Sequence, residues 1–342
     1  MQQLTRNQFN LELNHSGTVL NQEEVLPPAQ QKLLYAKVGE AVGFLNEINN
    51  VYVDAQFGEK IGLDGGRPIA SRTDTTLQDR STQDLSALDP QQYYAAQTEY
   101  DFHTSYKRMD AFAHIGKVGD LMRKQASLAI ARSQMMVGWN GESVAKQTDI
   151  AAYPLLQDVN IGWLHGVRLS QPTRILGYDS DGEPTVDVFK VGEGGKYISL
   201  DALVFSIISD LMDAWHQEAD DLVVLLGRKV ATAHGVALLS NGNLPSERNA
   251  LSVWFANKAV AGLPSLIPPF MPSRAVVVTS LKNLSIYHQV GTLRRTVVDN
   301  PKRNRVEEYI SENQAYVVED LGKFAAVRSE SILLPDGNGG WG

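Results

Sequence analysis

The stretch between residues 58 and 107 constrains the fold more than any other part of the sequence, because it cannot fold by itself. Two extended runs flank a polar stretch without strong periodicity at 76–95. In the second run, Tyr100, Phe102 and Tyr106 are spaced for one strand face. A long hairpin with so little apolar surface is not stable alone. We therefore expect an arm that projects from the body and lies on a neighbouring molecule.

Apolar residues near a 3.6-residue period predict a long helix over 109–138, with Gly138 as its C-cap. Gly116 and Gly119 lower the helix propensity of its first part, so a break is expected there if anywhere. Residues 31–49 also predict a helix, because an apolar stripe recurs at helical spacing. The stripe consists of Leu34, Val38, Val42 and Leu45.

The rest of the chain mixes strands and helices. Ile175–Val191 predicts a hairpin around Ser180-Asp181-Gly182, and Ser199 is a good N-cap for a helix through His216. Further helices are expected near 228–239 and 246–260, and strands at 222–226, 275–279, 284–288, 305–320 and 324–334. There is no repeated strand–helix–strand pattern, so the predicted class is α+β.

Composition narrows the function classes. The 342 residues contain no cysteine, which excludes disulfides, thiolate metal sites and cysteine nucleophiles. A net charge of −8 argues against broad nucleic-acid binding. Five bases between Arg294 and Arg305 form a local exception, interpreted as a solvated or subunit-facing patch. No apolar run approaches the roughly 20 residues that span a bilayer. The first residues also lack the apolar core of a secretory signal, so the protein is expected in the cytoplasm where it is made, without a membrane partner.

Four segments approach known chemical motifs, and each departs from its pattern. A phosphate loop with Gly195 as its last glycine needs another glycine five residues earlier, where the chain has Lys190. The segment around Ser143 lacks the final glycine of a nucleophile elbow. Asp179–Gly182 opens like a calcium loop, but Lys190 occupies its twelfth position. Asp220 and Asp221 point apart at a strand start, and no histidine pair has helical zinc spacing. We therefore expect no catalytic, metal or cofactor site.

An ordered series of strings resembles the major capsid protein of peduovirus-type tailed bacteriophages, which has the Hong Kong 97-type capsid fold. No single string is diagnostic, but the series runs from about 57 to 330 in order and at compatible spacing. The strings are GEKIG at 58–62, SRTDT at 71–75, GWNG at 138–141, LQDVNIGWL at 156–164, YISLDALV at 197–204, NLSIY at 283–287, RR at 294–295, NPK at 300–302, RVEEY at 305–309 and YVVED at 316–320.

The resemblance implies a division of the chain and a set of subunit contacts. Its segments are a leader or arm at 1–30, an N-terminal arm at 31–57, an extended loop at 58–107, a peripheral domain with a spine helix at 108–165, an axial domain at 166–304, return strands at 305–335 and a tail at 336–342. Its expected intersubunit residues are Lys60, Arg67, Arg72, Asp74, Arg80, Arg294, Arg295, Lys302 and Arg303. Leader cleavage is expected within Gln22, Glu23, Glu24 and Val25.

The function that the resemblance implies is self-assembly into pentamers and hexamers of an icosahedral shell, the virion capsid, around double-stranded DNA. Expected partners are copies of the same chain, a scaffolding protein or maturation protease, a portal, and DNA through weak non-specific contact. Two alternatives stay open: an encapsulin-like compartment shell, and a soluble hydrolase that uses Ser143 or Asp220. The polar 1–30 segment argues against the compartment.

Overall fold

The structure is a computed structural model that describes residues 23–60, 70–82, 92–112, 118–240, 259–335 and 340–341. The predicted leader up to residue 22, residues 246–258 of the predicted 246–260 helix and most of the tail lie outside these ranges. The described end of that predicted helix, Ala259–Val260, is a strand. None of the described helices is long and apolar enough to cross a bilayer.

Helices and strands alternate irregularly along the chain, as the predicted α+β class requires. The helices are α1 (Pro28–Ala41), α2 (Phe44–Glu47), α3 (Tyr106–Phe112), α4 (Val118–Asn140), α5 (Trp163–Ser170), α6 (Leu200–Leu211) and α7 (Arg228–Ser240). The first strands are β1 (Glu23–Val25), β2 (Asn49–Val53), β3 (Phe57–Glu59), β4 (Gln92–Tyr94), β5 (Ala96–Glu99), β6 (Phe102–Ser105), β7 (Ile175–Leu176) and β8 (Phe189–Lys190).

The remaining strands complete two larger sheets. They are β9 (Leu222–Leu226), β10 (Ala259–Val260), β11 (Leu263–Leu266), β12 (Val276–Ser280), β13 (Leu284–Gln289), β14 (Arg294–Asn300), β15 (Arg305–Val318), β16 (Ala325–Val327) and β17 (Ile332–Leu333). One sheet has the order β1-β14-β15-β13-β2, with β5 and β6 also paired to β15. The other has the order β10-β11-β9-β12-β16-β7, and β3 pairs with β4 and β8 with β17.

The chain divides into two compact units. The first contains the described residues within 1–57, 94–161 and 286–316. In it, the long strand β15 pairs antiparallel with β14 along one edge and with β5 and β6 along the other. Helix α4 buries Ile130, Met135 and Trp139, and α1 packs against α4. This unit therefore combines one sheet with two helices that lie against each other.

The second unit contains the described residues within 58–93, 162–285 and 317–342. Its centre is β12, which lies between β9 and β16 and is buried at all five positions. Helix α6 begins where the Ser199 hydroxyl accepts a hydrogen bond from the Ala202 amide at 3.2 Å, as its N-cap position predicts. Leu203, Val204 and Ile207 on its inner face are fully buried against the apolar core of this unit.

Three helix boundaries differ from those predicted, and the first is the end of α6, which stops at Leu211 and does not reach His216. The 31–49 helix is broken at Val42, where the backbone turns extended (φ −134°) before α2. Gly39 faces Asn46 so closely that an added Cβ would overlap the Asn46 side chain, which explains glycine there. Gly138 does not cap α4: it is buried within the helix, which continues to Asn140. The predicted weak point around Gly116 lies in 113–117, outside the described residues.

Two predicted extended segments were wrong in part. Tyr106 does not continue the strand face of Phe102 but begins α3. The Ile175–Val191 segment is a hairpin only close to its turn, where Tyr178 and Pro184 form an antiparallel bridge. Its outer strands pair elsewhere, β7 in parallel with β16 and β8 in parallel with β17. Strands are present at both ends of the segment, as the sequence predicts, but each pairs with a strand more than a hundred residues away. The turn itself is present, with the Gly182 amide donating to Asp179 O at 3.2 Å.

Candidate functional site

The residues considered for catalysis are held in ordinary structural roles. Ser143 lies exposed after α4, and its amide donates to Gln157 O at 3.1 Å. The Asp221 carboxylate accepts two hydrogen bonds from Lys323 Nζ at 2.6 and 2.8 Å. Burial alone would raise the pKa of Asp221, but the hydrogen bond and charge of Lys323 outweigh it and lower the pKa. Asp221 is thus one half of an ion pair.

The glycine-rich and acidic loops form turns. Gly192 and Gly194 have positive φ, and the Gly192 amide donates to Tyr197 O at 2.8 Å. Asp179 Oδ1 accepts from the amides of Asp181 and Glu183 at 3.0 and 2.9 Å. Within the described ranges, no group of three histidine or acidic residues is placed to hold a metal ion.

The described part of the predicted extended loop presents a capped turn. Asp74 Oδ1 accepts from the Thr76 amide at 3.0 Å and from the Thr76 hydroxyl at 2.6 Å, and these bonds lower the pKa of Asp74. The Leu77 amide donates to Asp74 O at 3.1 Å, and the Leu77 side chain is 84% exposed. Arg72 and Arg80 are exposed on either side. Asp74 therefore shapes the loop, whereas the two arginines face solvent.

Of the other predicted intersubunit residues, two form side-chain hydrogen bonds within their own chain. Lys60 is 3% exposed, and its ammonium donates to Val318 O and Glu319 O. Arg295 Nε donates to Glu308 at 2.6 Å across β14 and β15. Arg294 is exposed in β14, and Lys302 and Arg303 are exposed at the turn that joins β14 to β15. Arg67 lies outside the described residues.

The described part of the predicted cleavage region lies in a strand whose backbone is paired with a neighbouring strand. Glu23, Glu24 and Val25 form β1, which pairs antiparallel with β14 from Thr296 to Arg294. The Leu26 amide continues the ladder with a 3.0 Å bond to Leu293 O. Gln22 lies outside the described residues. A protease needs an extended and unpaired segment, so this region is accessible only when β1 leaves β14.

A buried polar cluster in the first unit was missed from the sequence. Its centre is Glu312, whose side chain is fully buried in β15. The Glu312 carboxylate accepts hydrogen bonds from Gln31 and Tyr35 of α1 and, at 2.8 Å, from Gln314 Nε2. His288 Nδ1 of β13 lies 3.1 Å from Glu312 Oε2. The cluster therefore fixes α1 to the sheet through a charge that water does not reach.

Aromatic rings surround this cluster. Tyr35 and Tyr52 lie against the His288 ring, with centroids 4.1 and 5.5 Å away. Burial and the Glu312 charge raise the pKa of Tyr52 to about 12 and that of Tyr35 well above its usual range. Tyr100 donates to Gln314 Oε1 at 2.8 Å and extends the network. Tyr35 and Tyr100 are thus held as neutral hydrogen-bond donors.

No local pattern distinguishes Glu312 or Gln314 from the outward polar residues of an edge strand. The only sequence signal is their spacing. Glu312 and Gln314 are two residues apart, so their side chains point to the same, buried face of β15. Recognising that signal requires knowing that α1 covers this face, which sequence periodicity does not provide.

The first unit also has a cleft of about 450 Å³ between the β5–β6 segment and α4. Its strand wall carries Glu99, Asp101 and His103, and its helix wall includes Met122, Ala126 and Ala129. Arg108 of α3 also lines the cleft. Burial and the adjacent Glu99 charge raise the pKa of Asp101. The cleft thus has an apolar wall and a rim where two acids repel each other.

Comparison with known proteins decides the family. The model of the phage major capsid protein, P2 family, matches residues 2–329. The chain belongs to this family. It is 36% identical over 350 residues to the capsid proteins of Escherichia phage P2, covering 98% of this chain and 96% of that protein. It is 34% identical over 317 residues to the major capsid protein of Serratia phage KSP20, covering 92% and 90%.

The fold of this capsid protein is also found in a solved shell. A chain of the satellite phage P4 procapsid that includes the size determination (Sid) protein matches with a TM-score of 0.80 and 34% identity, over 98% of this chain and 99% of that chain. The protein is therefore a shell-forming major capsid protein with the Hong Kong 97-type fold, a member of a family of structural proteins. The sequence-based recognition of family, fold and shell function is confirmed.

Proposed function

We propose that the chain assembles into rings of five and six subunits that close an icosahedral shell around double-stranded DNA. The near-complete match to a procapsid chain supports this proposal most strongly. Ring formation through repeated heterologous contacts explains how one chain can close a shell without leaving open edges. The net charge of −8 is consistent with weak DNA contact, because an acidic chain lacks the broad cationic field that would bind DNA tightly.

We infer that assembly takes place in the host cytoplasm with a scaffolding protein, and that a maturation protease and a portal act on or join the shell. The similar P4 procapsid includes a Sid protein, and an analogous partner is part of this proposal. We also infer that the chain performs no catalysis, since Ser143 and Asp220 lie exposed at the surface and the neighbouring Asp221 is paired with Lys323.

We propose the extended loop at 58–107 as the arm that contacts adjacent subunits, with the axial domain at 166–304 towards the ring centres. Arg72, Arg80, Lys302 and Arg303 support intersubunit contact by their exposure. Lys60 supports it less directly: its buried bonds to Val318 and Glu319 stabilise the base of the loop within its own chain. The predicted domain boundaries differ from the two compact units and stay predictions.

Removal of the N-terminal leader within residues 22–25 is also proposed. Because Glu23–Val25 pair with β14, cleavage there requires β1 to be unpaired when the protease acts. Mass spectrometry of mature particles tests this: we expect a new terminus within or next to 22–25. An intact Met1 or Gln2 terminus would overturn it.

Electron microscopy of the expressed full chain, with and without its scaffolding partner, tests the assembly proposal. We expect icosahedral particles that need the partner. Particles that form equally well without any partner would favour a cargo compartment of the same fold. A monodisperse monomer under both conditions would contradict shell assembly and return attention to Ser143 and Asp220.

A further inference from the structure

We propose that residues 335–341 act as a strap: the Trp341 ring closes over the glycine-rich loop 192–195 and holds the connection from β8 to helix α6 in place. The strap and the loop both belong to the second unit. This is a conformational device within one chain, so it goes beyond shell assembly and does not depend on it.

The strap follows directly on the paired strands β8 and β17. These strands run parallel, and the Val191 amide extends their ladder by donating to Leu333 O at 3.0 Å. An antiparallel bridge between Pro335 and Trp341 then brings Trp341 back towards the paired strands. The tryptophan thus returns to the loop that follows β8.

The loop has no side chains where the strap lies on it. A Cβ added to Gly192 would lie 2.8 Å from Pro335 Cγ, and one added to Gly195 would lie 2.9 Å from Trp341 Cη2. The Lys190 carbonyl oxygen, 2.5 Å from the second position, restricts Gly195 as well. The glycines that do not fit a phosphate loop therefore have a steric reason, because they leave room for the strap.

The strap is held loosely enough to open. Lys190 Nζ lies over the Trp341 ring, 5.5 Å from its centroid, and the tryptophan is only half-buried. Cation–π contacts at partly exposed sites are weak. The second lysine of the loop region, Lys196, lies instead over Phe189 and Tyr197, at 5.1 and 5.5 Å. The strap can therefore release the loop while the buried core of the unit stays folded.

The closed strap orders the start of α6. The Gly192 amide donates to Tyr197 O at 2.8 Å, and the Tyr197 amide donates to Lys190 O at 3.1 Å. Ser199, two residues after Tyr197, caps α6. Trp341 follows the loop by well over a hundred residues, so this connection becomes rigid only after β17 has joined β8.

Hydrogen exchange of the full chain, followed by mass spectrometry of peptides from 189–198, tests the strap. Trp341→Ala should speed exchange of the loop amides at 192–197 about tenfold, because the loop then opens locally more often. Trp215→Ala is the matched control, since Trp215 is an exposed tryptophan of the same unit outside the strap. It should leave these amides within about twofold of wild type. Wild-type exchange in Trp341→Ala, or an equal increase in the control, would overturn the proposal.

Two glycine variants test the same contact from the side of the loop. Gly192 and Gly194 both have positive φ, so alanine strains the backbone at either position. Only at Gly192 would the added methyl group collide with Pro335, since a Cβ on Gly194 meets no atom of the described residues within 4 Å. Gly192→Ala should therefore displace the strap and expose Trp341, whereas Gly194→Ala should not.

The readout is the fluorine resonance of fluorotryptophan at Trp341 in the labelled full chain. The chain has five tryptophans, and this resonance is assigned by its loss in Trp341→Phe. We expect Gly192→Ala to move it towards the position of the free amino acid and Gly194→Ala to leave it unchanged. Any other pattern would contradict the strap.

Discussion

At the scale of single residues, Glu312 has the largest structural consequence, because a fully buried carboxylate organises groups from three elements. Gln31, Tyr35 and Gln314 all donate to it, and His288 lies within hydrogen-bond distance. This residue joins strand β15 to helix α1, which precedes it by more than two hundred residues.

We predict that Glu312→Leu lowers the free energy of unfolding of the unassembled subunit by about 3–5 kcal/mol, because several buried donors lose their acceptor. Urea denaturation followed by tryptophan fluorescence measures it. Glu330→Leu is the control, since Glu330 is 65% exposed beside Arg328 and should change stability by less than about 1 kcal/mol. Equal losses in the two variants would contradict the role of the cluster.

A second residue-scale prediction concerns pH. Because Lys323 lowers the pKa of Asp221 in the folded chain, the pair adds stability above the unfolded pKa and loses it as pH falls through the folded pKa. Asp221 is half exposed, so Asp221→Asn should cost less than about 1 kcal/mol at neutral pH. The difference from wild type should begin to shrink only as pH falls below the unfolded pKa of about 3.9, and it should vanish below the folded pKa, which is lower still. Exposed Asp220→Asn is the control, and a difference that persists in acid would contradict this assignment.

Among the helices and strands, the sequence predicted those that are specified by neighbouring residues. Strand β9 followed from an uninterrupted apolar run before Gly227, and α6 from its Ser199 cap. The hairpin at 175–191 failed because β7 and β8 pair with distant strands, and the end of α4 failed because burial keeps Gly138 helical. The cleft and the Glu312 cluster could not be predicted, because both depend on which helix covers which strand face.

The central sheet of the second unit gives an element-scale prediction. Leu225 of β9 is fully buried and lies opposite Val277 of β12. Leu225→Ala should lower the free energy of unfolding by about 2–5 kcal/mol, since it removes buried methyl groups and leaves a cavity. Val236→Ala on α7, where the side chain is 58% exposed, should change it by at most about 0.5 kcal/mol. Thermal or urea unfolding compares them, and similar effects would contradict the burial of β9.

At the scale of the whole molecule, folding and assembly depend on different residues. The described loop residues 70–82 are exposed except for half-exposed Thr73, so the fold of a single chain should not need them. Deleting 74–95 would also remove β4, which pairs with β3. Replacing only residues 74–80 with a glycine–serine segment of equal length avoids that damage.

We predict that this replacement leaves a soluble subunit with unchanged circular dichroism that cannot complete shells, because the turn and its arginines are absent. Sedimentation and electron microscopy of the co-expressed protein measure the outcome. A glycine–serine replacement of exposed residues 145–148 serves as a control for loop chemistry. Normal shells from the 74–80 variant would remove the proposed role of the loop.

This chain is a shell-building subunit whose fold serves contacts between copies. Cryo-electron microscopy of particles from the full chain and its scaffolding partner tests this role. We predict closed icosahedral shells with rings of five and six subunits, each subunit showing the long α4 helix and both larger sheets. A uniform population of monomers or small open oligomers, from protein with native circular dichroism, would contradict it.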